Sequence, residues 1–344
     1  MINKNIFIEK ITTYLEKMDE KKQPQSLEVF ADEISYTFNK DGGAKPFYIF
    51  GISKLFIATL VNQLHELDVI DREAPIHTYL DEEMLSNLFV FRGTDYQKDV
   101  TISMLLNHTS GLADYFEGIG ANDKQFYAEM INNPDHTYEP IDLINYTKTY
   151  QVALGIPGNR YYYSDTGYVL LGILLERVSK KPLEVLINDH IIKPFNLKHT
   201  SLLNQKFDGE HLEDVLYNGV NIKSFKSLTC QWGGSGIIST HQDLIKFIRN
   251  LTLTDANYPN TFIKGIQYGS GSMELKLDQL SFLSRTSIKT PFYGHMSFYG
   301  THLWADPQNK LYISINFGTN KNFEKSFKII AYITKTYHQL INET

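Results

Sequence analysis

Residues 47–60 read FYIFGISKLFIATL, an apolar run interrupted by a single ammonium group, Lys54. On a helix, positions three or four apart share a face. Lys54 therefore shares its face with Phe50, Gly51, Ile57, Ala58 and Val61, all apolar or small. A lysine in that setting either snorkels its head to water or is desolvated, and a desolvated amine is a group that can shuttle protons. One hydroxyl is close in sequence, that of Ser53, but adjacent helix residues point about 100° apart. Ser53 should therefore face away from Lys54 unless the helix shifts register. Metal chemistry is not signalled: there is no His-Glu-x-x-His and no cysteine cluster.

The elements that must position this lysine can be read from periodicity. Leu55, Phe56, Leu60 and Leu64 give residues 51–67 a helical stripe. Further helices are expected over 4–20, 168–178, 183–192, 241–251 and 322–340. In the 241–251 helix, Asp243 falls in the first turn, where a negative charge suits the helix dipole. Residues 27–38 suit two short strands joined by a tight turn, with Ile34, Tyr36 and Phe38 alternating against Ser35 and Thr37. LYISINF (311–317) alternates in the same way, and ADPQNK before it reads as a hairpin turn to a strand near 298–305. The order is helix, strands, a long helical section, strands, helix, which is an α+β plan. Residues 1–50 with 265–344 would form a sheet domain and 51–264 a mainly helical one, with a cleft between them.

Composition narrows the classes. The 344 residues are 42% hydrophobic and 21% charged, enough for a sizeable core. A formal net charge of −6 gives no electrostatic reason to expect nucleic acid or an anionic membrane as partner. The lone cysteine, Cys230, excludes an internal disulfide and a Cys-rich zinc site. The N-terminal stretch lacks the apolar segment of a secretory signal, and no run is long enough to span a membrane. These features together place the protein in the cytoplasm as an expectation.

Five stretches in order carry a family resemblance. They are FYIFGISKLFIATLVNQLHELDVIDREAPIHTYL (47–80), VTISMLLNHTSGLADYFEG (100–118), YYYSDTGYVLLGILLERV within 161–201, WGGSGIISTHQDLIKF (232–247) and YGHMSFYGTHLWADPQNKLYISINFGTN (293–320). Together they resemble the serine β-lactamases and penicillin-binding proteins, closest to the class C β-lactamase and D-alanyl-peptidase or esterase branch. That resemblance implies a serine hydroxyl that attacks a carbonyl and becomes acylated. A lysine one helical turn later and a tyrosine assist proton transfer, and an edge-strand motif supplies half the oxyanion hole.

Carried over residue by residue, Lys54 matches the lysine, Tyr163 the tyrosine and His295 the basic residue of the edge-strand motif. Asp165 stands where asparagine is usual, Ser297 where glycine is usual, and the Phe298 N–H would take the oxyanion position. The nucleophile position falls on Gly51, which has no side chain to acylate. His108, Asp114 and Tyr115 are expected to brace a loop. Three readings stay open. The first is a hydrolase with an unusual nucleophile, such as Ser53 or a water activated by Lys54 and Tyr163. The second is a non-catalytic binder of a small molecule or peptide in the retained cleft. The third is an active serine hydrolase carrying an introduced change at Gly51. No cofactor or metal is implied.

Overall fold

Ser26–Ala31 (β1) and Ile34–Asn39 (β2) form an antiparallel pair in which Ala31 faces Ile34. β2 buries Ile34 and Tyr36 and exposes Ser35 and Thr37, the period of a strand with one wet face. The computed structural model describes residues 4–31, 34–118, 125–204, 209–254, 256–283, 286 and 288–342, so the expected turn at 32–33 lies outside them. Six later strands complete the sheet: Asn260–Ile263 (β3), Ile266–Gly269 (β4), Ser272–Leu275 (β5), Phe292–Met296 (β6), Thr301–Asp306 (β7) and Leu311–Asn316 (β8). Their spatial order is β3-β4-β5-β6-β7-β8-β1-β2, antiparallel at every pairing. First and last parts of the chain thus meet at β8 and β1, where Leu27 faces Ile315. The β7–β8 hairpin turns through the residues between Asp306 and Leu311, as ADPQNK predicts.

Lys4–Glu16 (α1) and Phe323–Asn342 (α5) pack together beside this sheet, with the Tyr14 and Tyr332 rings stacked 3.9 Å apart. The central section contributes Ser53–Glu66 (α2), Asp165–Ser179 (α3) and His241–Arg249 (α4). α2 packs against α3, and α4 packs against β7, β8 and β1. The buried His241 bridges two of those strands, its Nδ1 2.6 Å from Ser314 Oγ and its Nε2 2.7 Å from Ser26 Oγ. Asp243, in the first turn of α4, also accepts from the His199 N–H at 2.6 Å. Apolar residues fall into two clusters, one around α2 and α3 and one between the sheet and the terminal helices.

Local chemistry moves several boundaries. α3 starts at Asp165, earlier than its apolar stripe, because the Ser164 hydroxyl accepts from the Gly167 N–H and caps the helix. The expected helix over 51–67 begins as a 3-10 turn at Phe50–Ile52 and becomes α-helical only from Ser53. The 183–192 segment is α-helical to Ile187 and then widens into one π turn.

Candidate active-site cleft

Phe50 enters the turn before α2 with φ of +44°, a left-handed conformation that costs a bulky side chain energy. Stacking holds it there: its ring lies 4.1 Å from that of Tyr299 and 5.4 Å from that of Tyr48. The turn brings the Gly51 backbone against the end of β6. A Cβ built on Gly51 would lie 2.8 Å from the Met296 carbonyl oxygen and 3.2 Å from His295 Cε1. The strand and its histidine therefore occupy the space into which a side chain at this position would grow.

Lys54 is fully buried, so it does not snorkel. Its Nζ donates to Asp165 Oδ1, to the Gly234 carbonyl at 3.1 Å and toward Ser235 Oγ at 3.5 Å. The rings of Tyr163 and Tyr168 flank it at 5.0 and 5.1 Å. A buried charge must be paired, and Asp165 supplies the pairing from the first turn of α3, where the helix dipole favours a carboxylate. The closeness of the Gly234 carbonyl depends on glycine, since a Cβ there would lie 3.1 Å from Asp165 Oδ1.

Tyr163 presents its ring face to the ammonium. Burial, then the Asp165 charge, pushes its phenol well above the usual range, so the hydroxyl keeps its proton. His295 is buried, with Nδ1–H donating to the Met296 carbonyl at 2.7 Å and Nε2 without a partner. Burial, reinforced by Lys54, pushes it down to about 3, so it is a neutral imidazole. Ser297 turns its hydroxyl into its own loop, 2.6 Å from Thr301 Oγ1 and accepting from the Tyr299 N–H. Its N–H donates to the Thr301 carbonyl at 2.9 Å. The Phe298 side chain stands 46% exposed at the cleft mouth. Ser53 points the other way: its buried Oγ accepts from the Ile237 N–H at 3.1 Å.

The loop at 108–117 is braced as its sequence suggests. His108 Nδ1 accepts from the Ser164 N–H, Asp114 Oδ1 accepts from the Asp165 N–H, and the Tyr115 hydroxyl donates to the Cys230 carbonyl. The cleft has an inner and an outer chamber. Gly51, Tyr163, Asp165, Ser235, Met296 and Ser297 all line the inner one. The outer one, a cavity of about 460 Å³, is lined by residues that include Asp114, Val152 and Leu154. Lys54 lies beneath the inner chamber and His295 behind its wall.

Glu117, Ser235 and Phe262 also line the cleft, and the motif reading did not single them out. Glu117 and Ser235 sit inside quoted motifs, one after HTSGLADYF and the other within WGGSG, so their placement was within reach. Phe262 belongs to β3, a four-residue strand with no matched motif. Among the described residues no His/Cys/Asp/Glu group is arranged to hold a metal ion, and no helix is long and apolar enough to cross a membrane.

Comparison with known proteins bears on the fold and the family. The fold is similar to a D-stereospecific amidohydrolase from Streptomyces sp., with TM-score 0.76, 20% identity and coverage of 93% of this chain and 97% of the other. It is equally similar to the D-amino acid amidase from Ochrobactrum anthropi SV3, with TM-score 0.76, 17% identity and coverage of 97% and 99%. In sequence, a Bacillus subtilis (strain 168) protein named as a penicillin-binding protein, PbpX, is 26% identical over 252 residues, 70% of this chain and 56% of the relative. The chain thus spans about half the length of that curated relative. The model of one family, Beta-lactamase, matches residues 42–336, a span that takes in the Gly51 turn, the Lys54–Asp165 pair and the β6 edge. The chain belongs to the β-lactamase family.

Proposed function

We propose that the chain keeps the cleft of this serine-hydrolase family as a binding site while its acyl-serine route is closed. One observation carries the reading: at Gly51 there is neither a hydroxyl nor room for one, because the Met296 carbonyl lies 2.8 Å from where a Cβ would stand. The local alternative, Ser53, is committed to the Ile237 N–H on the far side of the turn. The likeness to amidases of D-amino acids supports small amides or peptides of that type as ligands.

A fluorescent penicillin and a chromogenic cephalosporin test this, read by intact-protein mass and by absorbance. Neither the protein as it stands nor Gly51→Ser is expected to carry an adduct or turn over the reporter. Reaction restored by Gly51→Ser alone would show that the glycine is the only block, and the closed-route reading would fail. A second reading rests on the 3.5 Å approach of Ser235 Oγ to Lys54 Nζ at the cavity wall. In it Ser235 takes the acyl group from an ester or amide, the alcohol or amine leaves with a proton, and water then releases the acid. An adduct that maps to Ser235 and vanishes in Ser235→Ala would select that reading.

A further inference from the structure

We infer that the mouth of the cleft is a cage for an organic ammonium ion carrying an apolar body, not for a carboxylate. This rests on the reading of the cleft as a retained binding site, but not on the closure of the acyl route.

The sign of the site comes first. Among the described residues no lysine, arginine or histidine lines either chamber. Lys54 lies under the wall and is paired with Asp165, and His295 is neutral and does not line the cavity. The ionisable carboxyls that do line the cleft are Asp114, Glu117 and Asp165. Among the described residues a ligand carboxylate would find no free cation there.

Glu117 is the carboxyl that stands apart. Asp165 has Lys54, and Asp114 accepts three backbone N–H groups, from Phe116, Glu117 and Asp165. The Glu117 carboxylate has neither a hydrogen bond nor an ion pair among the described residues, yet it lines both chambers. Loss of water on the cavity side, then the nearby Asp165, pushes it up to about 7. An ammonium ion beside it would relieve both effects.

Three rings share that junction. Tyr163, Phe262 and Phe298 also line both chambers. Tyr163 and Phe262 are 6.3 Å apart and inclined by 59°, and Phe262 and Phe298 are 6.1 Å apart and inclined by 53°. Inclined rings around one opening, with a carboxylate among them, form the arrangement that holds organic cations through their electron-rich faces. The apolar body has a place as well. Val152 and Leu154, 73% and 44% exposed, line the outer chamber beside the rings.

The test is calorimetric titration with three probes of one shape: 2-phenylethylammonium, 3-phenylpropanoate and the neutral 2-phenylethanol. The ammonium should bind about tenfold or more tighter than the carboxylate, the effect of one desolvated charge contact. Glu117→Gln should lower ammonium affinity by about tenfold and leave the alcohol unchanged. Phe298→Ala should weaken the ammonium more than the carboxylate. Phe298 is 46% exposed, so its variant should melt with the parent, and Glu117→Gln should do so below about pH 4.5, where the Glu117 carboxyl keeps its proton in the fold. Equal or tighter binding of the carboxylate, an unchanged ammonium affinity in Glu117→Gln, or no ammonium binding at millimolar concentration would each overturn the cage. The two readings fail separately. Acylation by a labelled penicillin sinks the closed route and leaves the ammonium preference measurable. A preference for the carboxylate sinks the cage and leaves the closed route standing.

Discussion

Lys54 and Asp165 form one buried unit, and neither is tolerable alone. Removing the lysine leaves a carboxylate facing a desolvated wall, so Lys54→Ala should cost about 3–5 kcal/mol. The double change Lys54→Met with Asp165→Leu should recover most of that loss, since an apolar pair of similar volume replaces an ion pair at little net cost. Urea unfolding of the three variants measures both numbers. Gly51→Ser should destabilise by about 1–3 kcal/mol, the usual range for forcing atoms into a packed site. The apolar face around Lys54 was legible in its stripe, and Gly51 fell on the family's nucleophile position through the motif resemblance. The partner of Lys54 was not legible. Asp165 is 111 positions away, and only tertiary folding makes a residue that reads as an altered asparagine into the counter-ion. His295 was picked out by its motif, and its burial beside the Gly51 turn, without lining the chamber, depends on tertiary packing that the motif does not encode.

Helices and strands were legible where their period was strong and their ends carried a signal. β1, β2, β8 and the long helices follow their apolar pattern closely. β3, β4 and β5 are only four residues each, separated by Gly265 and the Ser270–Gly271 turn, too short for a period to emerge. Boundaries shifted where a cap or a strained turn intervened. The C-terminus of α3 is one such place: Lys180 closes it with φ of +56°. That conformation suits glycine and penalises a side chain. Lys180→Gly should therefore stabilise the protein by about 0.5–1 kcal/mol, read as a rise in the midpoint of chemical denaturation with unchanged slope.

Across the molecule, buried titratable groups set the response to pH. Burial pushes His241, His295 and His302 down to about 3. In the unfolded chain each takes a proton near pH 6.5, so acidification through that window favours unfolding. Burial pushes Glu28, Asp114 and Glu213 up to about 7. Unfolded, they ionise near pH 4, so raising the pH from about 4 to about 7 also favours unfolding. His108, lowered by burial, and Glu117 add one group to each side. Four slopes thus oppose four between about pH 4.5 and 6.5, and below about pH 4 the histidine slopes are joined by those of carboxylates that partners hold low, such as Asp306. Thermal unfolding should give a melting temperature nearly flat across the middle window and falling steeply on its acid side. A steady climb from pH 5 to pH 7 would show that the carboxylic acids are not held protonated. The close approach of β6 to the glycine before α2 has a consequence of another kind. A serine placed at Gly51 would meet a carbonyl already in the way, so building an acylable hydroxyl at this position takes a second substitution that first draws the strand back. Contact between a backbone and a residue without a side chain thereby couples two positions that no single exchange can alter freely.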